Sequence, residues 1–130
     1  MYKILGLISA TLLVVITSPY WVRRLNQWIF HIKGKGFTDF VKTLRKIHKP
    51  LGIALVLIAL YHGYLALGTL RLHTGSIAWG LVLVTAILGA LFYKKKKAVY
   101  FTWHKRMALI TVLFVLLHLF VPNAVYYLFG

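Results

Sequence analysis

The 130-residue chain contains no cysteine and one acidic residue, Asp39. Without cysteine there are no disulfides, iron–sulfur clusters, thiolate zinc sites or covalent c-type haem attachment. With one carboxylate, paired-carboxylate catalysis, hard-cation cages and carboxylate proton relays are unavailable within the chain. The Gly34-Lys35-Gly36 stretch lacks the frame of a phosphate-binding loop, and no other nucleotide-binding pattern occurs. A flavin domain has no room.

What the chain has in abundance is apolar sequence, at 61% of residues. Four runs approach or reach the roughly 20 residues that cross a bilayer as a helix. They are Ile4 to Tyr20, Ile47 to Leu70, Ser76 to Tyr93 and Tyr100 to Val121. The expected fold is all-α, an integral membrane four-helix up-down bundle forming a single domain. The first run resembles a signal peptide, but TSPYWVRR after it offers no A-x-A-like cleavage site, so it is read as a retained helix.

The net charge of +15 is confined to particular segments. Between the first and second runs lie Arg23, Arg24, Lys33, Lys35, Lys42, Arg45, Lys46 and Lys49. Around the third turn lie Lys94 to Lys97, Lys105 and Arg106, while the other side has only Lys3 and Arg71. Basic loops stay in the cytoplasm, which puts both termini and the short second connection outside. Anionic headgroups would attract the same belt. This placement argues against a nucleic-acid partner.

The chain also repeats itself. HKPLGIALVLIALYH (48–62) and HKRMALITVLFVLLH (104–118) each begin and end in histidine, with lysine second and Val-Leu at the ninth and tenth positions. Histidine inside a membrane span is costly and reads as functional. Fourteen residues turn through about 1400°, roughly 40° short of four full turns, so the histidines of each helix share a face about 21 Å apart along the axis. The second and fourth helices run parallel and sit diagonally in such a bundle. His48 is then level with His104 on the inner side, and His62 with His118 on the outer side.

Two imidazoles are a poor site for zinc or copper, which take three or four protein ligands. Haem brings four nitrogens and needs only axial ligands. Two haem b groups, one ligated by His48 and His104 and the other by His62 and His118, satisfy all four side chains.

Paired H-x13-H helices in a bundle resemble the transmembrane cores of ferric reductases and NADPH oxidases. They are also similar to the cytochrome b bundle of quinol-oxidising complexes and to b561-type cytochromes. His48, His62, His104 and His118 carry the resemblance, with Lys49 and Lys105 after the inner histidines and Gly52 nearby. The chain departs from these families in having fewer helices than ferric reductases, no flavin/nicotinamide domain and none of the quinol-site loops of cytochrome b. The resemblance implies transmembrane electron transfer, with a redox partner protein or quinone as donor or acceptor. Ferric-reductase-like or quinol-linked oxidoreductase activity would then need that partner.

Further residues have assigned expectations. Arg45, Lys49, Lys105 and Arg106 flank the inner pair and are candidate haem-propionate contacts, with topology and lipid contact as the simpler explanation. Gly52, Gly63, Gly80 and Gly89 are candidates to make room for haem, against ordinary small-residue helix packing. His31 and His73 fit neither tier and read as surface histidines. Residues 37 to 47, FTDFVKTLRKI, have helical amphipathic spacing. They predict a short cytoplasmic surface helix capped by Thr38 or Asp39, leading into the second helix with Pro50 in its first turn. Trp21, Trp28, Trp79 and Trp103, with Tyr20, Tyr126 and Tyr127, read as an aromatic belt. The rival in another class is a non-catalytic membrane scaffold with structural histidines. A histidine-lined metal-ion carrier is a third reading, disfavoured by the missing carboxylates.

Overall fold

A computed structural model describes residues 1–68 and 72–129. Arg71 and the predicted end of the second helix at Leu70 fall outside these residues. The regular elements among the described residues are all helical: α1 (Tyr2–Leu25), a π-helical extension (Asn26–Phe30), α2 (Lys35–Leu67), α3 (Thr74–Lys95), α4 (Ala98–Phe120) and the short α5 (Ala124–Phe129). The first four α-helices are long and apolar enough to cross a membrane. Large apolar side chains cover the outside, with Leu57 61%, Leu109 63% and Leu113 59% exposed. That surface suits lipid and would be an aggregation hazard in water.

Hydroxyls inside these apolar helices turn back on their own backbone. Thr11 donates to Leu7 O, Thr17 to Leu13 O and Thr102 to Ala98 O. Each thus avoids presenting an unpaired donor to an apolar exterior. Pro19 lies within α1 and cannot donate to Val15 O. The Ser18 hydroxyl donates to that carbonyl instead, at 2.5 Å.

The amphipathic segment is not a separate helix. It is the first part of α2, a continuous 33-residue helix that carries Pro50 well inside it. Pro50 removes one backbone bond, to Lys46 O, and the helix runs on through it. Neither Thr38 nor Asp39 caps the start. Gly34 is the N-cap residue, and Thr38 Oγ1 donates back to Gly34 O. Gly68 ends α2 in the left-handed region (φ 65°), its N–H bonded to Tyr64 O at 2.8 Å. Before α2, the Asn26 side chain closes the turn with two bonds to Ile32, one to its N–H and one to its carbonyl. His31 adopts a left-handed conformation (φ 51°) there and is exposed, matching the surface reading.

Packing is closest within two hairpins, α1 with α2 and α3 with α4, with a looser contact between α2 and α3. The few buried apolar side chains include Leu55 of α2 and Ala78 and Val82 of α3. Trp79 is drawn inward from its expected belt position: its Nε1–H donates across to Val56 O of α2 at 3.1 Å. Lys49 stands 3.8 Å from the centre of the Tyr93 ring. This contact sets Lys49, within the basic first half of α2, beside the end of α3 that leads into the lysine-rich α3–α4 turn.

Candidate functional site: two tiers of paired histidines

The four histidines of the repeat meet in the pairs that their spacing implies. The ring centres of His48 and His104 are 6.0 Å apart with planes inclined by 77°. Those of His62 and His118 are 6.4 Å apart, inclined by 71°. Each pair takes one ring from α2 and one from α4, so the two hairpins converge on both tiers. All four residues are half-buried.

Each ring is fixed by a neighbouring helix through Nδ1. His48 Nδ1 lies 2.6 Å from Ile16 O and His62 Nδ1 2.7 Å from Tyr2 O, both on α1. His104 Nδ1 lies 2.8 Å from Thr85 O on α3. A carbonyl only accepts, so in these three rings Nδ1 carries the proton. His118 differs. Its Nδ1 lies 2.9 Å from the hydroxyl of Thr74, which in turn donates to Pro122 O. With the hydroxyl proton committed to Pro122, Thr74 accepts from His118, and here too Nδ1 is the protonated nitrogen. In a neutral ring this tautomer leaves Nε2 as the nitrogen with a free lone pair. Among the described residues, none of the four Nε2 atoms has a hydrogen-bond partner. Nor is any group of three or more His, Asp or Glu side chains there placed to hold a metal ion.

Three glycines let the rings come this close. A Cβ on Gly6 of α1 would stand 2.9 Å from His62 Cε1, one on Gly89 of α3 3.0 Å from His104 Cε1, and one on Gly75 of α3 3.1 Å from His118 Cε1. For His62 and His104 the glycine lies four residues beyond the accepting carbonyl, one turn along the same face. Of the four glycines singled out in the sequence, Gly89 is therefore a histidine contact. Gly52, Gly63 and Gly80 have no atom within 4 Å of a Cβ position, so they lie beside open space.

Between the tiers sit Leu55 and Thr111, each seven residues from both histidines of its own helix. They are 3% and 2% exposed. Thr111 Oγ1 donates to Met107 O and lies 3.0 Å from Thr85 Oγ1, whose residue also supplies the carbonyl for His104. Ser9 lies midway between Tyr2 and Ile16 on α1. Its hydroxyl is buried and has no partner among the described residues.

His73 is not the isolated surface residue the sequence suggested. It caps α3, its Nδ1 accepting the Gly75 N–H at 3.3 Å, and its ring centre lies 6.0 Å from that of His118. Thr74 Oγ1 is near Nδ1 of both rings, so His73 adjoins the anchored side of His118. The helix-pair register that brings α3's start beside α4's end is absent from local sequence. A signal was available in the fourteen-residue spacing of Gly75 and Gly89, which matches that of His104 and His118.

The four basic candidates near the inner tier are dispersed. Lys49 lies on Tyr93, Lys105 on Phe101 at 4.7 Å, and Arg106 on Trp103 at 5.4 Å. Arg45 lines a cavity with Arg23 and Lys42.

No protein-family model, curated protein or solved structure matches the chain.

Proposed function

We propose that the chain is a small membrane cytochrome that carries electrons across a bilayer through two b-type haems. His48 and His104 would ligate the inner one, and His62 and His118 the outer one. The observation that carries this reading is the paired rings at 6.0 and 6.4 Å, all anchored through Nδ1. Two metal–nitrogen bonds of about 2.0 Å, with about 1 Å more from each nitrogen to its ring centre, give roughly 6 Å. The unpartnered Nε2 atoms are the neutral ligands such a site needs. Hydrogen-bonded Nδ1–H groups are the usual means of fixing the orientation and basicity of a metal-binding histidine. Open space beside Gly52, Gly63 and Gly80 fits a bulky planar group.

When bound, haem would supply reversible one-electron chemistry. The protein's own contribution is positional. The backbone of α1 and α3 orients three rings, and Thr74 orients the fourth. Leu55 and Thr111 exclude water between the tiers. The helices insert as an up-down bundle with the basic end in the cytoplasm, because all sixteen Lys and Arg except Lys3 and Arg71 belong to the 1–2 and 3–4 connections and the adjoining helix ends. The donor would be cytoplasmic or a quinol, and the acceptor would lie on the outer side. It would work as a subunit or relay between the two.

The scaffold reading draws some support from the four Nδ1 bonds, which do join helices. They join helices within each hairpin, however, and explain neither the free Nε2 atoms nor the levelling of histidines between hairpins. Single replacements decide between the two. His62→Ala and His104→Ala, purified with haem available, should each hold one haem per chain fewer than the parent. Unchanged absorption in both variants would favour the scaffold.

A further inference from the structure

Beyond the histidine tiers, a cavity lies at the basic end, where the end of α1 and its π-helical extension meet the first turns of α2. It measures about 370 Å³ and is lined by Arg23, Asn26, Gln27, Thr38, Lys42 and Arg45 over a floor that includes buried Val41. A second cavity of about 270 Å³ adjoins it and shares Asn26 and Phe37. Its other walls are almost wholly apolar, among them Trp21, Leu25, Phe30 and Phe40. One cavity offers cations and amide or hydroxyl donors, and the next, apart from the shared Asn26, offers hydrocarbon and aromatic surface.

The cations have little internal compensation. The one carboxylate of the chain, Asp39, lies 3.9 Å from Lys42 at an exposed position, where such a pair is weak. Two guanidinium groups face the same cavity without a carboxylate of their own, and guanidinium forks match phosphate oxygens. The Asn26 clasp to Ile32 fixes the turn whose residues Asn26 and Ile32 line the second cavity.

We propose that these adjoining cavities form a binding site for one anionic phospholipid. The phosphate and polar headgroup would sit among Arg23, Lys42 and Arg45, and the start of an acyl chain along Trp21, Phe30 and Phe40. The site is a specific place within the basic belt, distinct from its general attraction for a charged surface, and it needs no haem. Arg45 thereby has a role apart from the propionate contact suggested by its position three residues before His48.

The test is native mass spectrometry of the delipidated protein in neutral detergent, titrated with phosphatidylglycerol or phosphatidylcholine. One phosphatidylglycerol should bind more tightly than any further copy and more tightly than phosphatidylcholine. Arg23→Gln with Arg45→Gln should weaken that first binding about thirtyfold. Lys95→Gln with Lys96→Gln removes the same charge from the α3–α4 turn and should leave it nearly unchanged. Glycerol phosphate should not displace the lipid at comparable concentration. Equal losses in both double variants, no preference for the anionic lipid, or displacement by glycerol phosphate would each overturn the proposal. Both arginines are exposed, so helix content and thermal midpoint should match the parent, and haem content should be unaffected. A variant that lost haem while keeping the lipid would return Arg45 to a propionate role and overturn this assignment.

Discussion

Replacing Gly89 by alanine sets two effects of opposite sign against each other. In the interior of α3 the exchange should favour the helix by up to about 1 kcal/mol. The new Cβ, however, would stand 3.0 Å from His104 Cε1 and 3.1 Å from Nδ1, closer than ordinary van der Waals contact. The ring cannot simply swing aside, because its Nδ1–H is held by Thr85 O at 2.8 Å. Overpacking costs about 1–3 kcal/mol, and giving up the hydrogen bond would cost about 0.5–1.5 kcal/mol more. The contact therefore outweighs the propensity, and Gly89→Ala should destabilise by about 1–3 kcal/mol. Gly80→Ala, on the same helix with nothing within 4 Å, should be neutral or stabilising. Denaturant unfolding of both variants in detergent, followed by helical circular dichroism, makes the comparison. If Gly89→Ala proved as stable as Gly80→Ala, the close approach of His104 to α3 would be wrong.

Other consequences can be measured on the same footing. Thr74→Val removes the acceptor of His118 Nδ1 and the tie to Pro122 from a site with 0% exposure, and should cost about 1–3 kcal/mol in the same unfolding assay. On the haem reading it should also weaken outer-tier haem about 10- to 100-fold while sparing the inner tier, as read by haem titration. Ser9→Ala deletes a buried hydroxyl with no partner among the described residues, so its unfolding midpoint should be unchanged or raised. Asn26→Ala loses both bonds to Ile32, and limited proteolysis should cut faster between Asn26 and Lys35 while the helical hairpins stay intact.

How much of this could be read from residues alone depends on the range of the interaction. The histidine pairs were legible because fourteen residues nearly complete four turns, and because the same interval occurs on two helices. The acceptors of their Nδ1 protons were not, since Tyr2, Ile16 and Thr85 serve through backbone carbonyls that every residue possesses. His73 was misjudged because nothing local in the sequence marks the α4 residue beside it in space, His118. Pro50 suggested a helix start, yet a long helix stabilised by packing on both sides tolerates the loss of one bond. The short α5 follows Pro122 and Asn123, and its Tyr126 and Tyr127 are as compatible with an interfacial belt as with a helix. The adjoining cavities at the basic end depend on the π-helical extension of α1, a backbone detail with no clear mark in the sequence.

The central claim is most directly tested by a reduced-minus-oxidised absorption spectrum of the purified protein, with haem quantified as its pyridine haemochromogen. Two b-type haems per chain are predicted, one for each histidine pair. A folded preparation made with haem available that contained none would contradict the account and leave the four histidines as links between helices.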